Sequence, residues 1–211
     1  MLAKKESPST EAIALKQEAK AQATILGSFV GSMWIIQVVN TIVGGRLVGL
    51  GIHPRSIVGL VGILFAPFLH AGFGHLLANT VPLVVLGLII LQRRKRDLLY
   101  VSTISGLVAG LGTWLIASAS SVHVGASSLV FGYLGYLIAR SFYDRKVWSI
   151  VTSIFVFFLY GGALFGIFPG QIGISWQGHL FGLLGGILSA RILHRQIEVR
   201  EKTAAPRALV R

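Results

Sequence analysis

Val124-Gly125-Ala126-Ser127-Ser128-Leu129-Val130-Phe131-Gly132-Tyr133-Leu134-Gly135 is the stretch on which the reading of this chain turns. A serine follows a glycine and an alanine at the mouth of an apolar run that continues to Ala139. The loop residues Ser118 to His123 come before it, and Arg140, Asp144, Arg145 and Lys146 come after. The run is predicted to be a membrane helix with Ser127 near one end, where a hydroxyl can face a wet cavity. Far along the chain, Trp176-Gln177-Gly178-His179-Leu180-Phe181-Gly182-Leu183-Leu184-Gly185-Gly186 places a histidine just inside the start of another apolar helix.

Composition agrees with a membrane setting. Of 211 residues, 54% are hydrophobic and only 12% charged, with a mean hydropathy of +0.75. A soluble domain carries about 25% charged residues. Several apolar segments approach the ~20 residues that cross a hydrocarbon core. No long polar linker divides the chain, so it reads as one polytopic domain. The net charge of +12 could suggest nucleic acid, but the basic residues border the apolar runs instead of forming one face, a placement that fits membrane topology. With no cysteine in the chain, disulfides, thiol nucleophiles and thiolate metal sites are excluded.

Six spans are expected in an all-α bundle. Residues 1–23 read as a polar, solvated N-terminal arm or surface helix, and the first span covers 24–44. Residues 45–68 read as an elaborate loop with an interfacial segment, because the apolar run 57–68 is short and interrupted by Pro67. The remaining spans fall at about 71–91, 98–118, 126–140, 147–166 and 177–193. The six-helix domain thus occupies 24–194, and a basic tail covers 195–211. Six spans put both termini on one side, and 17 of the 19 Lys and Arg then lie on that side, leaving only Arg46 and Arg55 opposite. Basic residues concentrate on the cytoplasmic face, so both termini are expected there, in an integral protein of a bacterial plasma membrane.

That topology brings His70, His75 and Asn79 from span two, Ser127 from span four and His179 from span six to the outer end of the bundle. Polar groups within a membrane are costly unless paired or wet, so such a convergence implies function. A serine hydroxyl needs a base to accept its proton, and histidine titrates near neutrality. The seven acidic residues, Glu6, Glu11, Glu18, Asp97, Asp144, Glu198 and Glu201, all fall on the opposite face. A Ser–His dyad is therefore expected, not a triad. His75 and Asn79, four residues apart, share one helix face and can both donate to an oxyanion, joined by a free N–H at the helix start near Ser127.

Gly125-Ala126-Ser127, His70-Ala71-Gly72-Phe73-Gly74-His75-Leu76-Leu77-Ala78-Asn79 and His179-Leu180-Phe181-Gly182-Leu183-Leu184-Gly185-Gly186 together resemble the motifs of rhomboid intramembrane serine proteases. They occur in that family's order, on its second, fourth and sixth spans, over about residues 24–194. The resemblance implies Ser127 as nucleophile, His179 as general base, and His75 with Asn79 as the oxyanion-stabilising pair. It implies that Phe131 packs against the histidine, that His70 is structural, and that helix five and its loop gate substrate entry. No metal or cofactor is implied, and the partners are transmembrane protein substrates and the lipid bilayer, not nucleic acid. Two positions depart from the pattern: Ser128 stands where the family usually has glycine, and its frequent Trp-Arg pair in the first loop is missing.

Other readings compete. Gly-Ala-Ser can be a helix cap, and a single intramembrane histidine a structural hydrogen-bonding group. The chain could be an inactive rhomboid-like protein that binds transmembrane clients, with Ser128 as the support for that reading. It could also hold haem or a metal through His70, His75, His123 and His179. Among other intramembrane protease classes, no H-E-x-x-H zinc site occurs and no aspartate lies within a span. Gly178, Gly182 and Gly186, with Gly132 and Gly135, read as small faces that let helices four and six approach closely.

Overall fold

The structure is a computed structural model that describes residues 10–204. Every regular element in it is helical. The order is α1 (Thr10–Ile42), α2 (Ile57–Phe65), α3 (Phe73–Leu91), α4 (Lys95–Ile116), α5 (Ser127–Asp144), α6 (Val147–Tyr160) and α7 (Trp176–Ala204), with 3-10 turns at Arg46–Leu50, Ala66–Phe68 and Gly161–Ile167. Six helices are long. Helix α2 spans only nine residues and gives way to a 3-10 turn at Pro67. It is too short to cross a membrane, as its sequence leads one to expect.

Among the described residues, four segments are long and apolar enough to span a bilayer by themselves: α1, α3, α4, and α6 with its 3-10 continuation to Ile167. Helices α5 and α7 fall short of that standard for a physical reason. They face protein more than lipid, and α5 buries ten of its eighteen residues, among them Tyr133, Tyr136, Gly132 and Gly135. A helix enclosed by its neighbours does not need a lipid-like surface. Helices α6 and α2 carry a larger share of exposed apolar residues, as with Phe158 and Phe155 on α6 and Ile57 and Val58 on α2.

The core is built from Leu76, Leu83, Leu86 and Ile90 on one face of α3, Val101 on α4, and Tyr133, Leu134 and Leu137 on α5. In lipid there is little hydrophobic gain from joining helices, so close van der Waals packing by small residues becomes the adhesive. Helices α5 and α7 show it directly. A Cβ on Gly186 would overlap the Gly132 carbonyl, one on Gly182 would overlap the Ser128 carbonyl, and one on Gly135 would overlap the Leu183 carbonyl. The two backbones touch along several turns.

Helix α1 begins at Thr10, well before the expected first span. At ~1.5 Å per residue its 33 residues reach about 50 Å, more than a ~30 Å hydrocarbon core. The first turns bind to the α3–α4 connection through Lys95–Glu18 (2.8 Å) and Gln92 Nε2 donating to Gln22 Oε1 (3.2 Å). Residues 1–9 of the expected arm and 205–211 of the expected tail lie outside the described residues. Nearby, Asp144 at the end of α5 meets Arg93 (3.1 Å) and Arg140 (2.7 Å), joining α3 to α5.

At the opposite end, the long first loop ties the bundle together. The Arg55 guanidinium donates from Nη1 to the Leu115 and Ala117 carbonyls (3.0 and 2.7 Å), satisfying acceptors that the end of α4 leaves open. Trp114 Nε1 returns a bond to the Ser56 carbonyl (2.8 Å). Ile52 pairs antiparallel with His123, each amide donating to the other's carbonyl (3.0 and 3.1 Å).

Candidate active site

Ser127 opens α5 from a turn that is held on two sides. The Gly125 amide donates to the Ala66 carbonyl (2.8 Å), and the buried Ala126 amide donates to His70 Nε2 (3.3 Å). Gly125 has φ +122°, and a Cβ there would stand 2.7 Å from the His75 ring. Only glycine fits both the left-handed backbone and the ring. His70 is almost fully buried, and burial, with His75 beside it, pushes its pKa down to about 4. Its ring therefore stays neutral and able to accept the amide.

The first hydrogen bonds of α5 run from the Leu129 and Val130 amides to the Ala126 carbonyl. The Ser127 and Ser128 amides are left without partners, as the physics of a helix start requires. Ser127 Oγ, among the described residues, also makes no hydrogen bond.

His179 lies in the first turn of α7, with its amide on the Ser175 carbonyl (3.1 Å). Its ring stacks on Phe131 at 4.1 Å and 13°, and Nδ1 lies 3.1 Å from the Gly166 carbonyl. A carbonyl can only accept, so Nδ1 carries the proton and Nε2 holds the lone pair. Phe131 follows Ser127 by four residues, one turn along the same face. Gly182, three residues after His179, rests on the Ser128 backbone. The glycine faces thus bring the helix starts bearing Ser127 and His179 together.

From α3 come His75 and Asn79. The His75 ring borders Gly125, and Asn79 Nδ2 lies 3.8 Å from where a Gly125 Cβ would stand. One Asn79 N–H donates to its own helix at the His75 carbonyl (3.0 Å); the second is free of that bond. His75 also meets His70 edge-to-face at 5.1 Å. Among the described residues no carboxylate bonds to Ser127 or His179, and Asp144 ends the helix that Ser127 begins, about 25 Å away along its axis. Nor do His70, His75, His123 and His179 form a ligand set, since no three His, Asp or Glu side chains gather around a metal-sized space among the described residues.

Two features had no signal in the sequence. One is the Gly166 carbonyl, a backbone group with no side chain to mark it. The other is the pair of partners of His123, a residue the sequence offered only as a haem or metal ligand: its Nδ1 and Nε2 sit 2.8 Å from Ser175 Oγ and Ser121 Oγ. His123, Ser127, Ser128, Thr113, Ser175 and Gly178 line a narrow cavity, with about 30 Å³ open to water, room for one or two molecules. Burial holds the His123 pKa below the ordinary histidine value.

Residues 58–196 match the family model for the Rhomboid domain. The chain belongs to the rhomboid family. This rhomboid is 39% identical to Rv1337 of Mycobacterium tuberculosis over 195 residues, covering 89% of this chain and 81% of that protein. It is 33% identical over 123 residues to YdcA of Bacillus subtilis, named as a candidate rhomboid protease, covering 57% of this chain and 60% of YdcA. RHOMBOID-like protein 4 of Arabidopsis thaliana is 29% identical over 140 residues, 62% of this chain and 33% of that one. This rhomboid is an integral membrane protein of a family of intramembrane-protease type.

Proposed function

We propose that this chain is an intramembrane serine endopeptidase that cleaves peptide bonds in or beside transmembrane segments of other membrane proteins. Ser127 is the nucleophile and His179 the general base. The observation that carries this reading is the fixed imidazole of His179. The Gly166 carbonyl holds the Nδ1 proton and Phe131 holds the plane, which leaves Nε2 as the lone-pair nitrogen at the start of α7. In a serine–histidine–aspartate triad a buried carboxylate fixes the tautomer; here a neutral carbonyl takes that part.

When a strand of substrate is seated, Ser127 Oγ transfers its proton to Nε2 and bonds to the scissile carbonyl carbon. Such hydrogen bonds are commonly long or open without substrate and tighten in the reacting complex, which accounts for the free Ser127 hydroxyl. The oxyanion that forms is met by the unpartnered Ser127 amide, the His75 ring and the free N–H of Asn79. His179 then passes its proton to the leaving amine, and water from the cavity beside Ser127 hydrolyses the acyl-enzyme by the same route. Both termini lie in the cytoplasm and the site opens toward the outer face, a reading supported by the basic residues concentrated at the opposite end. Substrate enters sideways past α6 and the loop that follows it.

The test is cleavage of a single-span substrate in proteoliposomes, wild type beside Ser127→Ala, with fluorophosphonate labelling in parallel. Cleavage and labelling are both expected to vanish in Ser127→Ala. Full cleavage by that variant would remove Ser127 from the chemistry, and a folded wild type that neither labels nor cleaves would favour a client-binding protein.

A further inference from the structure

The end of the bundle away from Ser127 carries a groove between α3 and α6 that the protease reading leaves unused. Arg93 and Arg140 line it, with Ile89, Val151 and Phe155 as apolar wall and Trp148 at the rim. It encloses about 640 Å³.

The charges in this groove do not balance. Arg93 Nη1 and Arg140 Nε both meet the same oxygen of Asp144, Oδ2, at 3.1 and 2.7 Å. The carboxylate's other neighbours are Ser149 Oγ at 3.2 Å and His194 Nδ1 at 3.7 Å. One carboxylate facing two guanidinium groups leaves a positive charge over. Asp97, at the start of α4, accepts a hydrogen bond from Tyr136 (3.4 Å) and lies in the field of Arg93 without an ion pair among the described residues, while Glu18 and Glu198 at the same end pair with Lys95 and His194. Across 93–97 and 140–146 there are seven basic residues and two acids, Asp97 and Asp144. Both arginine side chains are mostly buried, 18% and 15% exposed, where screening by water is weaker than on an open surface. Each guanidinium has five N–H donors, and the contacts with Asp144 occupy one on each.

The groove is also ordered from polar to apolar along the membrane normal. Arg93 lies just past the end of α3, and Ile89 stands one turn further in. Trp148 is in the first turn of α6 and 75% exposed, the depth at which tryptophan belts meet headgroups. Val151 and Phe155 follow toward the bilayer centre, also exposed. A free phosphate would leave this wall bare, and a second apolar helix would leave unmet the guanidinium donors that Asp144 does not occupy.

We propose that this groove binds an anionic phospholipid, its phosphate on Arg93 and Arg140 and one acyl chain along Ile89, Val151 and Phe155. The lipid would brace α3 against α6 at their basic ends, and α6 runs on into the turn that presents Gly166 to His179. The binding itself is independent of whether Ser127 is catalytic.

The test places the full chain in phosphatidylcholine vesicles containing a minor share of phosphatidylglycerol, with one or the other lipid brominated on its acyl chains. The signal of Trp148 is the difference in fluorescence between wild type and Trp148→Phe. Brominated phosphatidylglycerol is expected to quench it about fivefold more, per molecule, than brominated phosphatidylcholine, the worth of one uncompensated arginine beside anionic lipid. Arg93→Gln with Arg140→Gln should abolish the preference, whereas Arg94→Gln with Arg96→Gln should keep it. Equal quenching by the two lipids in wild type overturns the proposal without any variant, which matters because Arg93 and Arg140 also hold Asp144. An equal loss in the Arg94/Arg96 variant would mean general surface attraction, and abolition of the preference by added inorganic phosphate would mean a phosphate site; either also overturns it.

Discussion

Replacing Gly166 by alanine tests whether a backbone carbonyl orients the base. Its backbone is not in the left-handed region, so the exchange carries no conformational penalty of its own. The new Cβ would stand 2.8 Å from His179 Nδ1 and 3.3 Å from the tip of Phe131. Ordinary contacts begin near 3.4 Å, so the imidazole must retreat by about 0.6 Å. It cannot retreat freely, because Phe131 is stacked on its face. A displacement of ~1 Å at a reacting group can cost about 10²-fold in rate, so kcat should fall by roughly 10- to 10²-fold, or about 1.4–2.7 kcal/mol of barrier. KM should hold, because in the proposed mechanism the imidazole acts on the serine and not on bound substrate. Overpacking of this kind also costs about 1–3 kcal/mol of stability, so kcat, KM and melting temperature must be measured together in proteoliposomes. Gly162→Ala is the control: it lies in the same 3-10 turn, and a Cβ there meets nothing within 4 Å. Wild-type kcat in a folded Gly166→Ala protein would refute the orienting role. Equal losses in both variants would trace the effect to the turn and not to the imidazole.

Ser128→Gly should keep or raise the cleavage rate, since Ser128 lines the cavity beside the proposed nucleophile Ser127; a loss comparable to that of Ser127→Ala would reassign the nucleophile. Asn79→Ala should lower kcat by about 10²–10³-fold with little change in KM, whereas lower thermal stability at an intact rate would make Asn79 a packing residue. Asp144→Asn should lower stability by roughly 3–5 kcal/mol, because Arg93 and Arg140 then share an uncharged partner. The same variant should keep its rate within a few-fold, and a loss on the ~10⁴-fold scale of a triad aspartate would expose a third catalytic member.

The helical class was legible because apolar runs of membrane length leave few alternatives, and the helix starts at Ser127 and Trp176 lie where the polar loops end. The extent of α1 was not. Its first turns alternate lysine, glutamate and glutamine, which reads as solvated, and the contacts of Glu18 and Gln22 with Lys95 and Gln92 depend on a loop seventy or more residues away. Hydropathy also separates α5 and α7 from the other long helices, because tyrosines and glycines that serve helix packing dilute the apolar signal. At the candidate site, side chains announce themselves by type, while main-chain groups do not. Nothing about Gly166 distinguishes it from Gly162 until the chain is folded, yet one carbonyl meets an imidazole and the other residue faces open space. The pairing of Ile52 with His123 was hidden likewise, since one bridge leaves no periodic pattern.

The acceptor on His179 is written in the course of the chain and in no codon. A triad carboxylate can be deleted by a single exchange to its amide, and a mutational scan finds it as a position that demands one chemistry. Position 166 would give a different profile, tolerating loss of nothing and gain of little, with the penalty growing with side-chain volume whether the newcomer is apolar, polar or charged. Such a profile is ordinarily taken as the mark of a packing position. In this protein it would mark the partner of the proposed base, and a search for conserved acids would pass over it.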